Sequence, residues 1–355
     1  MKDKNIGGGM RDMARGMKNA GMRVGNMVLL VGLLVGLGLL FEVFNVSGRI
    51  DGAGPFSSIL NEGIAIAAGP GGAPGVGQAE VVVTDDFGRK VTVQGRPMRI
   101  ISLAPSNTEI LFALGLGDRV VGVTNYCNYP PEAKLKEKIG GFSNPSIEKI
   151  IALKPDLVLA TGMHQGLIKE LERLKIPVIV LYPKTVAEVV RAIEVVGEAT
   201  GARKAAQELA KSMEERIQRV TSKVKNIPIA KRPKVYYELW HDPLMTCGPG
   251  TFIDDIISLA GGVNIASDAG KEYPEYSLEV LLAKNPDIML HSYGHGSSGV
   301  PAVEEIRKRR GWEGLSFVKN GRIYLVDADL LNRPGPRIVD GLEAVARIVH
   351  PELFR

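Results

Sequence analysis

The stretch RKAAQELAKSMEERIQRVTSKVKN, residues 203–226, decides how the chain is organised. Leu209, Met213, Ile217, Val220 and Val224 recur in it at helical spacing, and charged side chains fill the other faces. The pattern predicts one amphipathic helix of about 24 residues, roughly 36 Å long. A helix that is apolar along one stripe suits a spine between two lobes, and it restricts their relative motion more than a flexible loop would.

Strands and helices alternate on both sides of that spine. Upstream, IISLA (100–104), VVGVT (120–124), DLVLA (156–160) and PVIVLY (177–182) read as buried strands. Pro105 and Ser106 are expected to end the first strand, and NTEILFALGLG (107–117) reads as a helix closed by glycine. Downstream, KVYYEL (234–239), DIMLHS (287–292) and RIYLVD (322–327) repeat the grammar. Such alternation implies βαβ units around mostly parallel sheets, so the expected fold class is α/β with two lobes. The expected division is an N-terminal lobe over 81–200, a connecting helix over 201–226 and a C-terminal lobe over 227–355. The N-terminal lobe opens on VVVTDDFGRKVTV (81–93), which suits a hairpin. A ligand cleft is expected between the lobes, at the strand C-terminal ends.

The first 80 residues have a different composition. Residues 1–26 form a basic leader with Lys2, Lys4, Arg11, Arg15, Lys18 and Arg23. Residues 27–44 are an apolar run, and residues 45–80 are a Gly/Pro-rich linker containing GPGGAPGVG. The apolar run lies between a signal-peptide core and a membrane-spanning helix in length. No cysteine follows it closely, which excludes lipid attachment there. The expectation is an uncleaved anchor, basic end in the cytoplasm and the remainder extracytoplasmic, with a cleaved signal peptide as the alternative.

Bulk properties narrow the function classes. A chain of 355 residues that is 45% hydrophobic buries at least one full core. Its net charge of +5 comes from basic and acidic residues mixed along the sequence, without a basic run interleaved with aromatics, so nucleic acid is not an expected partner. Two cysteines, Cys127 and Cys247, build neither a disulfide scaffold nor a four-thiolate zinc site. Both are expected as free thiols near the cleft rim. No nucleophile elbow, phosphate-cradling loop or H-E-x-x-H occurs, and no catalytic residue is assigned.

One sentence is written twice. SIEKIIALKPDLVL (146–159) and SLEVLLAKNPDIML (277–290) align without a gap. In each, Ser is placed to cap a short helix and Pro to end it before an Asp-led strand. Residues 147, 150 and 151, and 278, 281 and 282, are expected to face the core. Glu148 and Glu279 fall in the first helical turn, where the helix dipole favours a carboxylate.

The stretches RIISLAPSNTEILFALGLGDRVVGVTNYCNYPPEA (99–133), GGFSNPSIEKIIALKPDLVLATG (140–162), YELWHDPLMTCGPGTFIDDIISLAGGVNIA (237–266) and YPEYSLEVLLAKNPDIML (273–290) come in a family's order. Residues 81–355 resemble the periplasmic cobalamin and iron-siderophore binding proteins of ABC transporters, most closely the cobalamin branch. The resemblance implies two lobes bridged by a long helix, without a cofactor. It implies a monomer that captures cobalamin or a related corrinoid and delivers it to a permease and ATPase complex. A ferric siderophore or haem is the alternative ligand, and a membrane-tethered sensor the alternative role. By motif position, Glu148 and Glu279 are the implied permease-docking carboxylates, one per lobe.

The same resemblance implies a cleft lined by Tyr126, Phe142 and Tyr273. Phe142 and Tyr273 stand where the family's cobalamin binders carry tryptophan, which leaves the wall aromatic while loosening the identity of the ligand. Trp240 belongs to the same loop neighbourhood, and Arg333 and Arg337 are placed to meet amide or carboxylate groups of a ligand. His164, His241, His291 and His295 follow expected strands; His164 and His241 are candidate metal ligands, with loop hydrogen bonding as the alternative.

Overall fold

The computed structural model describes residues 80–292 and 303–355. The expected leader, anchor and most of the linker, and His295, lie outside the described residues. The N-terminal lobe starts with a hairpin of β1 (Glu80–Thr84) and β2 (Lys90–Gln94). In its turn the Asp85 carboxylate accepts hydrogen bonds from the backbone N–H groups of Phe87 and Arg89, each 3.0 Å. Then β3 (Ile100–Ser102), β4 (Val120–Val123), β5 (Glu137–Lys138), β6 (Leu157–Ala160) and β7 (Val178–Val180) form an all-parallel sheet in the order β5-β4-β3-β6-β7. β3, β6 and β7 are buried at every position, as unbroken apolar runs in a doubly covered sheet require.

The helices of this lobe are α1 (Pro105–Ala113), α2 (Ile147–Ala152) and α3 (Gln165–Arg173). Pro105 and Ser106, expected to end β3 as a loop, instead open α1. Proline fits the first helical turn, where its missing N–H leaves no bond unmade. Gly115 closes α1 at φ +72°, a conformation that costs a side-chain-bearing residue.

The connecting helix expected from the sequence is present, and a helix not singled out there precedes it. α4 (Val186–Thr200) runs up to Gly201, and α5 (Arg203–Val224) follows directly. α5 has 22 residues, roughly 33 Å. Met213, Val220 and Val224 are buried as the spacing implies, while Leu209 and Ile217 are partly buried against the same core. α4 is amphipathic, with Glu188, Arg191, Glu194 and Glu198 on its outer side opposite buried Val186, Val189, Val190, Ile193 and Val196. A Cβ on Gly197 would come within 2.3 Å of the Ala206 Cβ, so glycine is what allows α4 and α5 this close approach.

The C-terminal lobe contains β8 (Lys234–Glu238), a small hairpin of β9 (Trp240–His241) and β10 (Leu244–Met245), then β11 (Val263–Asn264), β12 (Ile288–His291) and β13 (Ile323–Leu325). Its main sheet is parallel, ordered β11-β8-β12-β13. Its helices are α6 (Phe252–Leu259), α7 (Leu278–Lys284), α8 (Val303–Arg307), α9 (Ser316–Lys319), α10 (Ala328–Leu331) and α11 (Ile338–Val349). One core cluster runs from the β1-β2 hairpin through α4 and α5 into β8, α6 and α11, so the lobes share packed interior. The outer face of each main sheet has a smaller core of its own. Arg216 of α5 reaches Asp340 (2.5 Å) and Glu343 (2.9 Å) of α11, fastening the spine to the second lobe.

Candidate functional site

All strands of a parallel sheet end on one edge, so the loops that follow them share a rim. Tyr126 follows β4, Phe142 follows β5, Met163 and His164 follow β6, and Tyr182 follows β7. In the second lobe Trp240 follows β8 and Tyr273 follows β11. Tyr126, Tyr129, Tyr182 and Tyr273 are each about two-fifths exposed, and Met163 is 63% exposed. Tyr129, Met163 and Tyr182 are not singled out by the sequence; their only signal is that each lies just beyond an apolar strand.

Tyr182 is held from several sides. Its backbone N–H donates to the Asp86 carboxylate at 2.7 Å, the Phe87 ring meets it edge-on at 6.2 Å, and a Cβ on Gly162 would lie 3.0 Å from its ring. Phe142 packs edge-on against His164 at 5.5 Å. The His164 Nδ1 accepts from the Thr161 N–H at 3.1 Å, and Nε2–H donates to the Phe142 carbonyl at 2.7 Å. Burial lowers the pKa of His164, which favours the neutral imidazole. Both ring nitrogens are thus engaged in holding the loop. The Trp240 indole donates to the Asp242 carbonyl at 2.9 Å, and its ring lies 4.9 Å from that of exposed His241. Burial pushes the Tyr273 phenol well up and lowers His291 to about 4, so both are neutral at physiological pH. Among the described residues, no group of three or more His, Cys, Asp and Glu is arranged to hold a metal ion.

The arginines are committed to the protein itself. The Arg333 side chain is 2% exposed; it reaches Asn128 at 2.6 Å, Asp329 at 2.7 Å and Glu109 at 3.4 Å. Arg337 forks onto Glu109 with contacts of 2.9 and 2.7 Å, and its guanidinium lies 3.9 Å from the Tyr129 ring centre. Glu109 of α1, absent from the sequence-derived candidates, therefore joins both arginines of the other lobe from a site that is itself 2% exposed. Lys184 pairs with Glu272 in the same way, and the Val186 N–H at the start of α4 donates to Asp255 of α6 at 2.7 Å. The charges along this seam are largely neutralised within the protein. Cys127 and Cys247 are free, as expected, but buried, not on the rim. The hydroxyls of Thr108 and Thr124 lie 3.1 and 3.2 Å from the Cys127 thiol, and burial raises the pKa of Cys247.

The doubled sentence folds twice into one unit. Ser146 accepts from the Lys149 N–H, and Ser277 from the Val280 N–H, both at 3.2 Å. Ile150 and Leu281 are 0% exposed. Ile151 and Leu282, expected in the core, are 43% and 40% exposed: each lies one position round a very short helix whose buried stripe is a single residue wide. Glu148 and Glu279 are exposed, and hydrogen bonds lower both pKa values. For Glu148 the Ser146 hydroxyl is the main cause, and for Glu279 a backbone N–H, followed by Ser277.

A family model described as periplasmic binding protein matches residues 100–330. An uncharacterised ABC transporter substrate-binding lipoprotein of Bacillus subtilis is 38% identical over 78% of this chain and 87% of its own length. The vitamin B12-binding protein of Vibrio cholerae is 35% identical over 70% of this chain and 87% of its own. The solved structure of a periplasmic heme-binding protein from Roseiflexus sp. superposes with a TM-score of 0.64 at 29% identity, covering 71% of this chain and 98% of that one.

Proposed function

Because the chain belongs to the periplasmic binding protein family, we propose that it captures cobalamin or a related corrinoid outside the cytoplasmic membrane and delivers it to an ABC permease and its ATPase. The observation that carries this choice of ligand is the rim itself: aromatic side chains follow successive strands of both lobes, and the neighbouring arginines and Lys184 are already paired with carboxylates. Such a rim suits a flat, amphiphilic ring edged with amides, which needs apolar walls and few charges. Haem, with its two carboxylates, or a ferric siderophore is the second reading, favoured by the likeness to a heme-binding protein. Phe142, Tyr126, Tyr273 and Trp240 are the proposed contacts, joined by Tyr129, Met163 and Tyr182. Arg333 serves as a lobe-to-lobe anchor in this proposal, and ligand contact by it would require release from Asp329 and Asn128.

Residues 27–44 are proposed to anchor the chain in the membrane. The only cysteines are Cys127 and Cys247, so the lipid anchor of a lipoprotein has no attachment site before the folded lobes. Glu148 and Glu279 are proposed to dock on cationic groups of the permease.

Titrating the full-length, detergent-solubilised protein with cyanocobalamin, haemin and a ferric hydroxamate, followed by absorbance, tests the choice of ligand. The expected result is one corrinoid bound with submicromolar affinity. Phe142→Ala should weaken it by roughly 1–3 kcal/mol. Tight binding of haemin or the ferric chelate, with no response to cobalamin, overturns the corrinoid assignment.

A further inference from the structure

Two aliphatic side chains occupy equivalent positions in the two copies of the doubled segment, and both are on the surface. Ile151 and Leu282 lie three residues beyond Glu148 and Glu279, hence on the same helix face as the carboxylates. Their neighbours in sequence, Ile150 and Leu281, fill the core, while Ile151 and Leu282 keep 43% and 40% of their surface in solvent. Exposed aliphatics scattered singly need no explanation, but the same carboxylate-plus-aliphatic pair displayed once by each lobe is a repeated surface. We infer that Ile151 and Leu282 form the apolar half of the docking surface, and that the permease meets each glutamate with a cation set beside an apolar side chain. This rests on the docking role proposed for the glutamates.

The two copies differ at the residue after the glutamate. Val280 is 40% exposed but lies two residues from Leu282, on a different side of the helix. Its counterpart Lys149 donates from its amine to the Lys138 carbonyl at 2.9 Å. Water excluded by aliphatic contact strengthens the ion pair beside it, which on an open surface is screened and weak.

The test is association of the full-length protein with its purified permease–ATPase complex in nanodiscs, at low and at high salt, with melting temperature as a control. Ile151→Ser with Leu282→Ser should weaken association about tenfold or more at both salt concentrations, and Ile151→Met with Leu282→Met should restore most of it. Glu148→Gln with Glu279→Gln should weaken it most at low salt. If the serine variant associates normally while the glutamine variant fails, the apolar contact is wrong and carboxylate docking stands. If the glutamine variant also associates normally, the docking role falls, and this inference with it.

Discussion

The segments 146–159 and 277–290 build the same unit in different lobes. Each has a serine cap, one aliphatic side chain in the core, a left-handed residue after the helix and an aspartate whose carboxylate accepts from backbone N–H at or just before the start of a neighbouring strand. The copies diverge at the left-handed position and at the aspartate. Lys154 adopts φ +46° with a side chain ill suited to it, whereas Asn285 adopts φ +42° and uses its amide oxygen to accept from the Ser316 N–H at 2.9 Å. Asp156 accepts from two backbone N–H groups, those of Met98 and Arg99, while Asp287 accepts from that of Lys234. The shared cap, core residue and aspartate explain the fold of both copies. The shared exposed Glu and aliphatic residue are not needed for it, and duplication there points to a partner.

The largest effect should separate neighbouring residues. Ile150→Ala and Leu281→Ala should each lower unfolding free energy by about 2–5 kcal/mol, because both remove fully buried methyl groups. Ile151→Ala and Leu282→Ala should stay within about 0.5 kcal/mol, as exposed sites do. Denaturant melts giving equal losses at 150 and 151 would show that the two positions are not divided between core and surface.

A smaller effect tests the aspartates. Asp156→Ala should cost about 1–2 kcal/mol and Asp287→Ala about 0.5–1.5 kcal/mol, in proportion to the backbone donors each leaves behind. The reverse order in thermal melts would mean that hydrogen-bond number does not set their contribution. Smaller again, Lys154→Gly should stabilise by up to about 1 kcal/mol by relieving the left-handed conformation. Asn285→Gly should destabilise by about 0.5–1.5 kcal/mol through loss of its bond to Ser316. Shifts of the same sign would erase this distinction between the copies.

The pH dependence follows from the glutamates. Their folded-state pKa values are depressed, so the associated stabilisation is present above the ordinary glutamate value of 4.5 and is lost as pH falls through the lowered values. Association with the permease should accordingly be flat across neutral pH in a titration and fall only under acid below 4.5. A loss between neutrality and mild acid would assign the contact to other groups.

Much of the fold is legible in the sequence because it rests on local periodicity. The spine, the buried strands and the doubled segment all announce themselves through apolar spacing. α4 carries the same kind of signal, with Arg191, Glu194 and Glu198 opposite its buried valines. The exposure of Ile151 and Leu282 was not legible: a one-residue rotation on a short helix depends on what packs beside it. Of the candidate site, Tyr126, Phe142 and Tyr273 are named through the family resemblance, and strand position alone would not single them out from the other residues beyond strands. Glu109 could not be located, because its partner Arg333 lies 224 residues away and no local pattern links them. Arg333 reads in the sequence as a free cation for a ligand; only the fold shows it enclosed by Glu109, Asp329 and Asn128.

The doubled segment as a pair of docking feet is tested most directly by Glu148→Lys with Glu279→Lys in the full-length chain, following uptake of labelled cyanocobalamin by cells that carry the permease, together with ligand affinity and melting temperature of the purified protein. Charge reversal on two exposed side chains leaves the cleft and both cores intact while setting like charges against the partner. The account predicts that uptake collapses while affinity stays at its wild-type value and melting temperature falls only by the small loss of two first-turn carboxylates. Normal uptake from the folded double variant, or a loss of uptake no larger than the loss of folded protein, would contradict it.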